Sequence, residues 1–159
     1  AGSNPSNGSP IIGHGNGWPG GGGVANGSFH LGSNFDGSLF MAVQDGYAAI
    51  GESNASVLSR NTWHFITLTA GTGGWRVYVD GSLALDLSWL TVGLPSINRV
   101  WGFGAYWILI ENSQASHTDG FSNHYDYYWA GVMGDIRMHN KTLSAAEVAA
   151  LYAAGRQSY

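Results

Sequence analysis

GVMGDIRMHNKTLSAAEVAALYAAG, residues 131–155, is the stretch whose reading decides the fold. Its first part alternates from Asp135 on: Ile136 and Met138 supply apolar positions, Asp135, Arg137 and His139 occupy the other face, and Met133 is a further apolar position before them, so a β-strand is predicted. Its second part is helical. Ser144 followed by Glu147 is a capping box, in which the hydroxyl takes a free amide of the first turn and the carboxylate reaches back. Val148, Leu151 and Tyr152 then recur at helical spacing, and Gly155 is placed to end the helix in a left-handed conformation. The prediction is one helix over residues 144–154.

Residues 61–87, NTWHFITLTAGTGGWRVYVDGSLALDL, carry the second signal. Asp80-Gly81 sits between two alternating runs, where a type I′ turn needs positive φ at both central residues. Residues 71–74, GTGG, form another turn. Upstream, residues 28–31, 39–43 and 47–50 read as short strands, with Asp36-Gly37 and Asp45-Gly46 as hairpin turns. Ile11-Ile12 and residues 56–59 are further strand candidates. Residues 99–110, RVWGFGAYWILI, alternate Trp101, Phe103, Ala105 and Trp107 against Val100, Gly102, Gly104, Tyr106 and Ile108. Regular short strands with turn signals and one terminal helix predict a β-sandwich. Trp63, Ile66, Val77, Val79, Ile136, Met138 and Leu151 are its expected core.

These two segments resemble the LamG-like, concanavalin A-like lectin/glucanase jelly-roll domains. In that family a C-terminal strand reads roughly G-x-I-D-D-V-R-I-Y-N and turns into L-S-x-x-E-I. Gly131, Asp135, Arg137, Asn140, Leu143, Ser144 and Glu147 match; Gly134 replaces an acidic position and His139 an aromatic one. The family also carries a strand beginning W-x-x-(V/I)-x-(L/V)-T and one ending Y-V-D-G-x-L, which Trp63, Ile66, Thr69, Tyr78, Val79, Asp80, Gly81 and Leu83 fit. The resemblance implies an all-β, two-sheet antiparallel jelly-roll sandwich with one short C-terminal helix. It leaves function open, because the fold hosts lectins, adhesion modules, hydrolases and structural domains. The organisation expected is a flexible arm over residues 1–10 and a LamG-like sandwich over residues 11–159. The family opens with an additional Trp-bearing strand that is not found here. Either another segment supplies it or a neighbouring chain does, which would make a homo-oligomer with strand exchange.

The chain has 159 residues, enough for one domain with a core. It lacks cysteine, so no disulfide or thiolate metal site forms. Net charge is −4 and Lys141 is the sole lysine, which argues against a nucleic-acid groove. No apolar run has the ~18–20 residues of a membrane span, so no membrane insertion is expected. Only 10% of residues are charged while 13% are aromatic, a balance that suits aromatic surface contacts on an extracellular, cell-surface or virion-surface protein. Asn7, Asn26, Asn54 and Asn140 sit in N-x-S/T sequons, meaningful only in a eukaryotic secretory context.

Residues 111–128, ENSQASHTDGFSNHYDYY, form a loop long for a sandwich. Sugar recognition needs amides and carboxylates for hydroxyls and aromatic faces for the ring. The candidate contact residues for a glycan or a neighbouring subunit are therefore Trp107, Asp119, Asn123, His124, Tyr125 and Tyr127. A loop that merely packs on itself is the competing reading. Asp119, Asn123 and Asp126 have oxygens that suit calcium, but a site without calcium is preferred, and no other cofactor is expected. His117 and His124 are preferred as unliganded. No catalytic residue is assigned: the paired-carboxylate strand of glycoside hydrolases is absent, and Glu52, Glu111 and Glu147 are the only glutamates. The leading expectation is a non-catalytic glycan-binding or adhesion module. The alternative is a structural or assembly subunit of a virion surface or extracellular filament, and a glycoside hydrolase ranks third.

Overall fold

Strands form where apolar side chains alternate and turn residues close the run. A computed structural model describes residues 9–14, 28–44, 48–91, 101–103 and 132–155. Its strands are β1 (Ser9–His14), β2 (Ser28–Ser33), β3 (Leu39–Gln44), β4 (Ala48–Glu52), β5 (Ile66–Thr69), β6 (Trp75–Val79), β7 (Ser82–Leu87) and β8 (Trp101–Phe103), followed by helix α1 (Ala145–Gly155). One sheet has the order β4-β3-β2-β1-β8 and the other β5-β6-β7, with antiparallel pairings throughout. This is the two-sheet jelly-roll sandwich with one C-terminal helix that the sequence predicts.

The sheets bury their facing sides. Phe29, Leu31, Leu39, Met41 and Val43 meet Trp75, Val77, Val79, Leu85 and Leu87. Phe29 stands edge-on to both Trp75 (centroids 5.2 Å) and Trp101 (5.6 Å), the arrangement that ring quadrupoles favour. Gly51 lies where a Cβ would collide with the Leu87 side chain, so the missing side chain lets the two sheets close. Strands β2 and β3 are buried on their other face too, at His30, Phe40 and Ala42. That explains why FHL and LFMAV read as near-continuous runs instead of strict alternation.

Helix α1 covers the outer face of the three-stranded sheet through Tyr78, Leu143 and Val148, with Leu151 beside them. The capping box forms as read. The Ser144 hydroxyl donates to Glu147 Oε2 (2.9 Å) and accepts the Glu147 amide (3.3 Å), and Glu147 Oε2 takes the Ser144 amide (2.8 Å). Lys141 pairs with the same carboxylate. Thr142 Oγ1 donates to Ala70 O at 2.9 Å and ties the lead-in to the end of β5.

Several expectations need correction. Residues 56–59 form turn and bend, and residues 132–139 form no strand. Alternation in the latter segment defines two faces, but a strand also needs a ladder partner, and none lies beside it among the described residues. Ile136 and Met138 are accordingly exposed, not core. Trp63 is 62% exposed. It and Ile66 are an odd number of positions apart, so an extended chain cannot turn both to the core. Trp75 fills the core instead. Gly155 is the last residue of α1 and does not adopt positive φ. Residues 45–46, and 104–110 of the long run, lie outside the described residues, as does most of the N-terminal arm.

Candidate functional site

The segment between β4 and β5 must cross from one sheet to the other, and it gathers polar and aromatic side chains at one end of the sandwich. Its first anchor is the β2–β3 turn. Gly37 takes φ +80° there, and Asp36 Oδ1 accepts both the Ser38 amide (2.9 Å) and the Ser38 hydroxyl (2.8 Å). The amide and then the hydroxyl of Ser38 hold the Asp36 carboxyl below its ordinary value of 3.8. The crossing segment docks on this turn through the Ser56 amide to Asp36 O and the Leu58 amide to Gly37 O, both 2.9 Å. Arg60 Nη2 reaches Phe35 O at 3.5 Å.

The second anchor is the β6–β7 turn. Asp80 and Gly81 have φ +51° and +79°, as the type I′ turn requires. Register places Val79 opposite Ile66, so Asp80 faces the chain just before β5. Its Oδ1 accepts the Phe65 amide (2.9 Å) and its Oδ2 lies 2.8 Å from His64 Nδ1. The far nitrogen, Nε2, receives the Ser59 amide at 3.0 Å and contacts the Ser59 hydroxyl at 3.1 Å. Trp63 and Phe35, 62% and 72% exposed, stand at this end.

Two arrangements here bear on catalysis. Ser59, His64 and Asp80 have the connectivity of a nucleophile, base and orienting acid. However, Nε2 also accepts Ser59's own amide, so the ring is bound to the Ser59 backbone as well as to its hydroxyl. Asp36 and Glu52 are a carboxylate pair, but both contact the Ser38 hydroxyl, at 2.8 and 3.1 Å, and Asn34 Nδ2 also holds Glu52 at 2.6 Å. The space that a sugar would need between paired carboxylates is occupied by a serine. Both arrangements tie loop residues to the ends of strands.

The residues singled out from sequence, Trp107, Asp119, Asn123, His124, Tyr125 and Tyr127, lie outside the described residues, as do His117 and Asp126. Among the described residues, no group of three His, Asp or Glu side chains could hold a metal ion, and no helix is long and apolar enough to cross a membrane. The sequence reading missed the His64–Asp80 contact. The signal was present: once the turn at residues 71–74 is read as pairing β5 with β6, Ile66 falls opposite Val79 and Asp80 faces Phe65 and its neighbour His64.

A family model described as the concanavalin A-like lectin/glucanases superfamily matches residues 2–149. No curated protein matches. A solved S-layer domain-containing protein from Clostridium thermocellum is similar, at 21% identity and a TM-score of 0.43, over 92% of this chain and 63% of that chain. This chain thus spans less than two thirds of that structure's length.

Proposed function

Since the chain belongs to the concanavalin A-like lectin/glucanases superfamily, we propose that it is a non-catalytic structural module of an extracellular or surface assembly, joined to its neighbours through exposed aromatic and apolar side chains. One observation carries this reading. Phe35 and Trp63 at one end of the sandwich, Trp89 just beyond β7 at the other, and Val132, Ile136 and Met138 before the helix are each half or more exposed. A single ligand cleft would gather such side chains in one place. Trp and Phe are the side chains that most often anchor interfaces, and standing at both ends they suit contacts with more than one neighbour. The charge pattern agrees, since Lys and Glu are depleted where protein surfaces meet, and this chain has one lysine and three glutamates. Trp107, Asp119, Asn123, His124, Tyr125 and Tyr127 belong to the same proposal as further contact residues.

A glycan-binding reading is kept for one specific reason. The crossing segment exposes both Trp63 and Arg60, an aromatic ring and a hydrogen-bond donor on one short stretch of chain. Light scattering across a concentration series, run beside a polysaccharide-binding screen, separates the two. Association that grows with concentration and weakens in Trp89→Ala supports the assembly module. A monomer at every concentration that binds a polysaccharide, and loses it in Trp63→Ala, would replace it with the lectin reading.

A further inference from the structure

Residues 132–139 run without turn or bend, and every residue from Gly134 to His139 is exposed, so both faces of the segment meet solvent. None of these residues takes positive φ. Arg137 Nε donates to Asp135 Oδ2 at 2.7 Å, a contact between residues two apart that sets both on one side of the chain. Ile136 and Met138, 50% and 63% exposed, alternate with them. The segment thus has a strand's alternation, while its backbone joins no ladder among the described residues. Its C-terminal end is fixed to the sandwich, because Thr142 Oγ1 donates to Ala70 O and Leu143 is buried with Tyr78 and Val148. We propose that residues 133–139 are a self-docking strand, which pairs antiparallel with the same residues of a second copy about a two-fold axis at Ile136.

Charge selects this partner and this register. A two-fold antiparallel pair sets one residue opposite its own copy, and every other residue opposite the one equally far beyond the axis. Centred on Ile136, Asp135 of each copy faces Arg137 of the other. Centred one residue earlier, Asp135 meets Asp135; centred one residue later, Arg137 meets Arg137. Like charges directly opposite destabilise a strand pair, and opposite charges stabilise it. The contact within each chain is kept, since a carboxylate has two acceptor oxygens and a guanidinium five donors. The result is a ring of four charges of alternating sign. Size agrees on the other face, where Ile136 meets Ile136 and the long Met138 side chain lies opposite Gly134, which has none. The pairing also gives the exposed N–H and C=O groups of both segments partners. Two strands alone pair weakly, which suits one contact among several. The inference names one contact of the proposed assembly and rests on that reading.

Sedimentation velocity over a concentration series tests the pairing by charge exchange. Asp135→Arg sets like charges opposite each other on both sides of the axis, and so does Arg137→Asp. Each variant alone should associate about tenfold more weakly than the parent. An equal mixture of the two again opposes unlike charges across the axis, so it should associate like the parent. The chain carrying both exchanges should do the same. Amide hydrogen exchange within residues 134–138 of the parent should slow as concentration rises. Single variants that associate like the parent, or a mixture that associates no better than either variant alone, would overturn the pairing. So would slow exchange of residues 134–138 in the monomer, which would show a strand partner within the same chain. Association that weakens in Trp89→Ala but ignores the charge variants would overturn the pairing and leave the assembly reading standing. A parent that stays monomeric at every concentration would overturn both.

Discussion

Trp63 and Trp75 flank the same strand, β5, and meet opposite surroundings. Trp75 has no exposed surface and packs on Phe29, whereas Trp63 stands in solvent at the crossing segment. Trp75→Ala should therefore cost about 3–5 kcal/mol in urea denaturation, and Trp63→Ala less than about 0.5 kcal/mol. Equal losses would mean that the strand register is wrong. Glu147 gives a second test at this scale. Its carboxyl is held at about 2, below the ordinary 4.5, first by the Lys141 ammonium and then by the Ser144 amide and hydroxyl. The folded value is the lower one, so the cap's contribution is complete above pH 4.5 and is lost as pH falls through about 2. Carbon-13 titration of Glu147 should show the low midpoint, and Ser144→Ala or removal of the Lys141 ammonium should raise it.

At the scale of elements, what was legible in the sequence was whatever local chemistry dictates. The Asp80-Gly81 hairpin, the Asp36-Gly37 turn and the Ser144–Glu147 cap each need a specific residue at a specific φ or bond, and each formed where read. Residues 132–139 failed because alternation states which faces a strand would have, not which strand it would pair with. The same limit hid the crossing segment, whose anchors come from two turns distant in sequence. These turns also set the most sensitive positions. Gly74 has φ +96°, and a Cβ there would press into the Ser88 backbone. Gly74→Ala should destabilise by about 2 kcal/mol or more, from positive φ and overpacking together. Asp80→Ala should cost about 1–3 kcal/mol, because it strips the Phe65 amide of its acceptor. A melting temperature unchanged in either variant would remove the turn from the account of the fold.

At the scale of the whole molecule, the balance of buried and exposed apolar surface decides between a solitary domain and an assembly part. The core accounts for the strand residues well, and β2 and β3 are buried on both faces. What it leaves outside includes large apolar side chains. Two indoles, a phenyl ring and the Val132, Ile136 and Met138 side chains lie on different sides. The sequence could not show this, since Trp63 and Met138 sit in patterns that resemble core strands. Side chains of this kind anchor interfaces, where truncating one central aromatic typically costs about 2 kcal/mol, roughly thirtyfold in dissociation constant. If Trp89 is such an anchor, Trp89→Ala should shift the association midpoint by about that factor in sedimentation velocity. Its melting temperature under dilute, monomeric conditions should stay at the parent's value, because the ring is 64% exposed and supports little within the chain. A variant that loses stability as a monomer would show Trp89 to be part of the fold, and one that associates like the parent would remove that end of the sandwich from the interface. The other end can be tested separately through Trp63, since the two indoles lie beyond opposite ends of the three-stranded sheet and their effects should add.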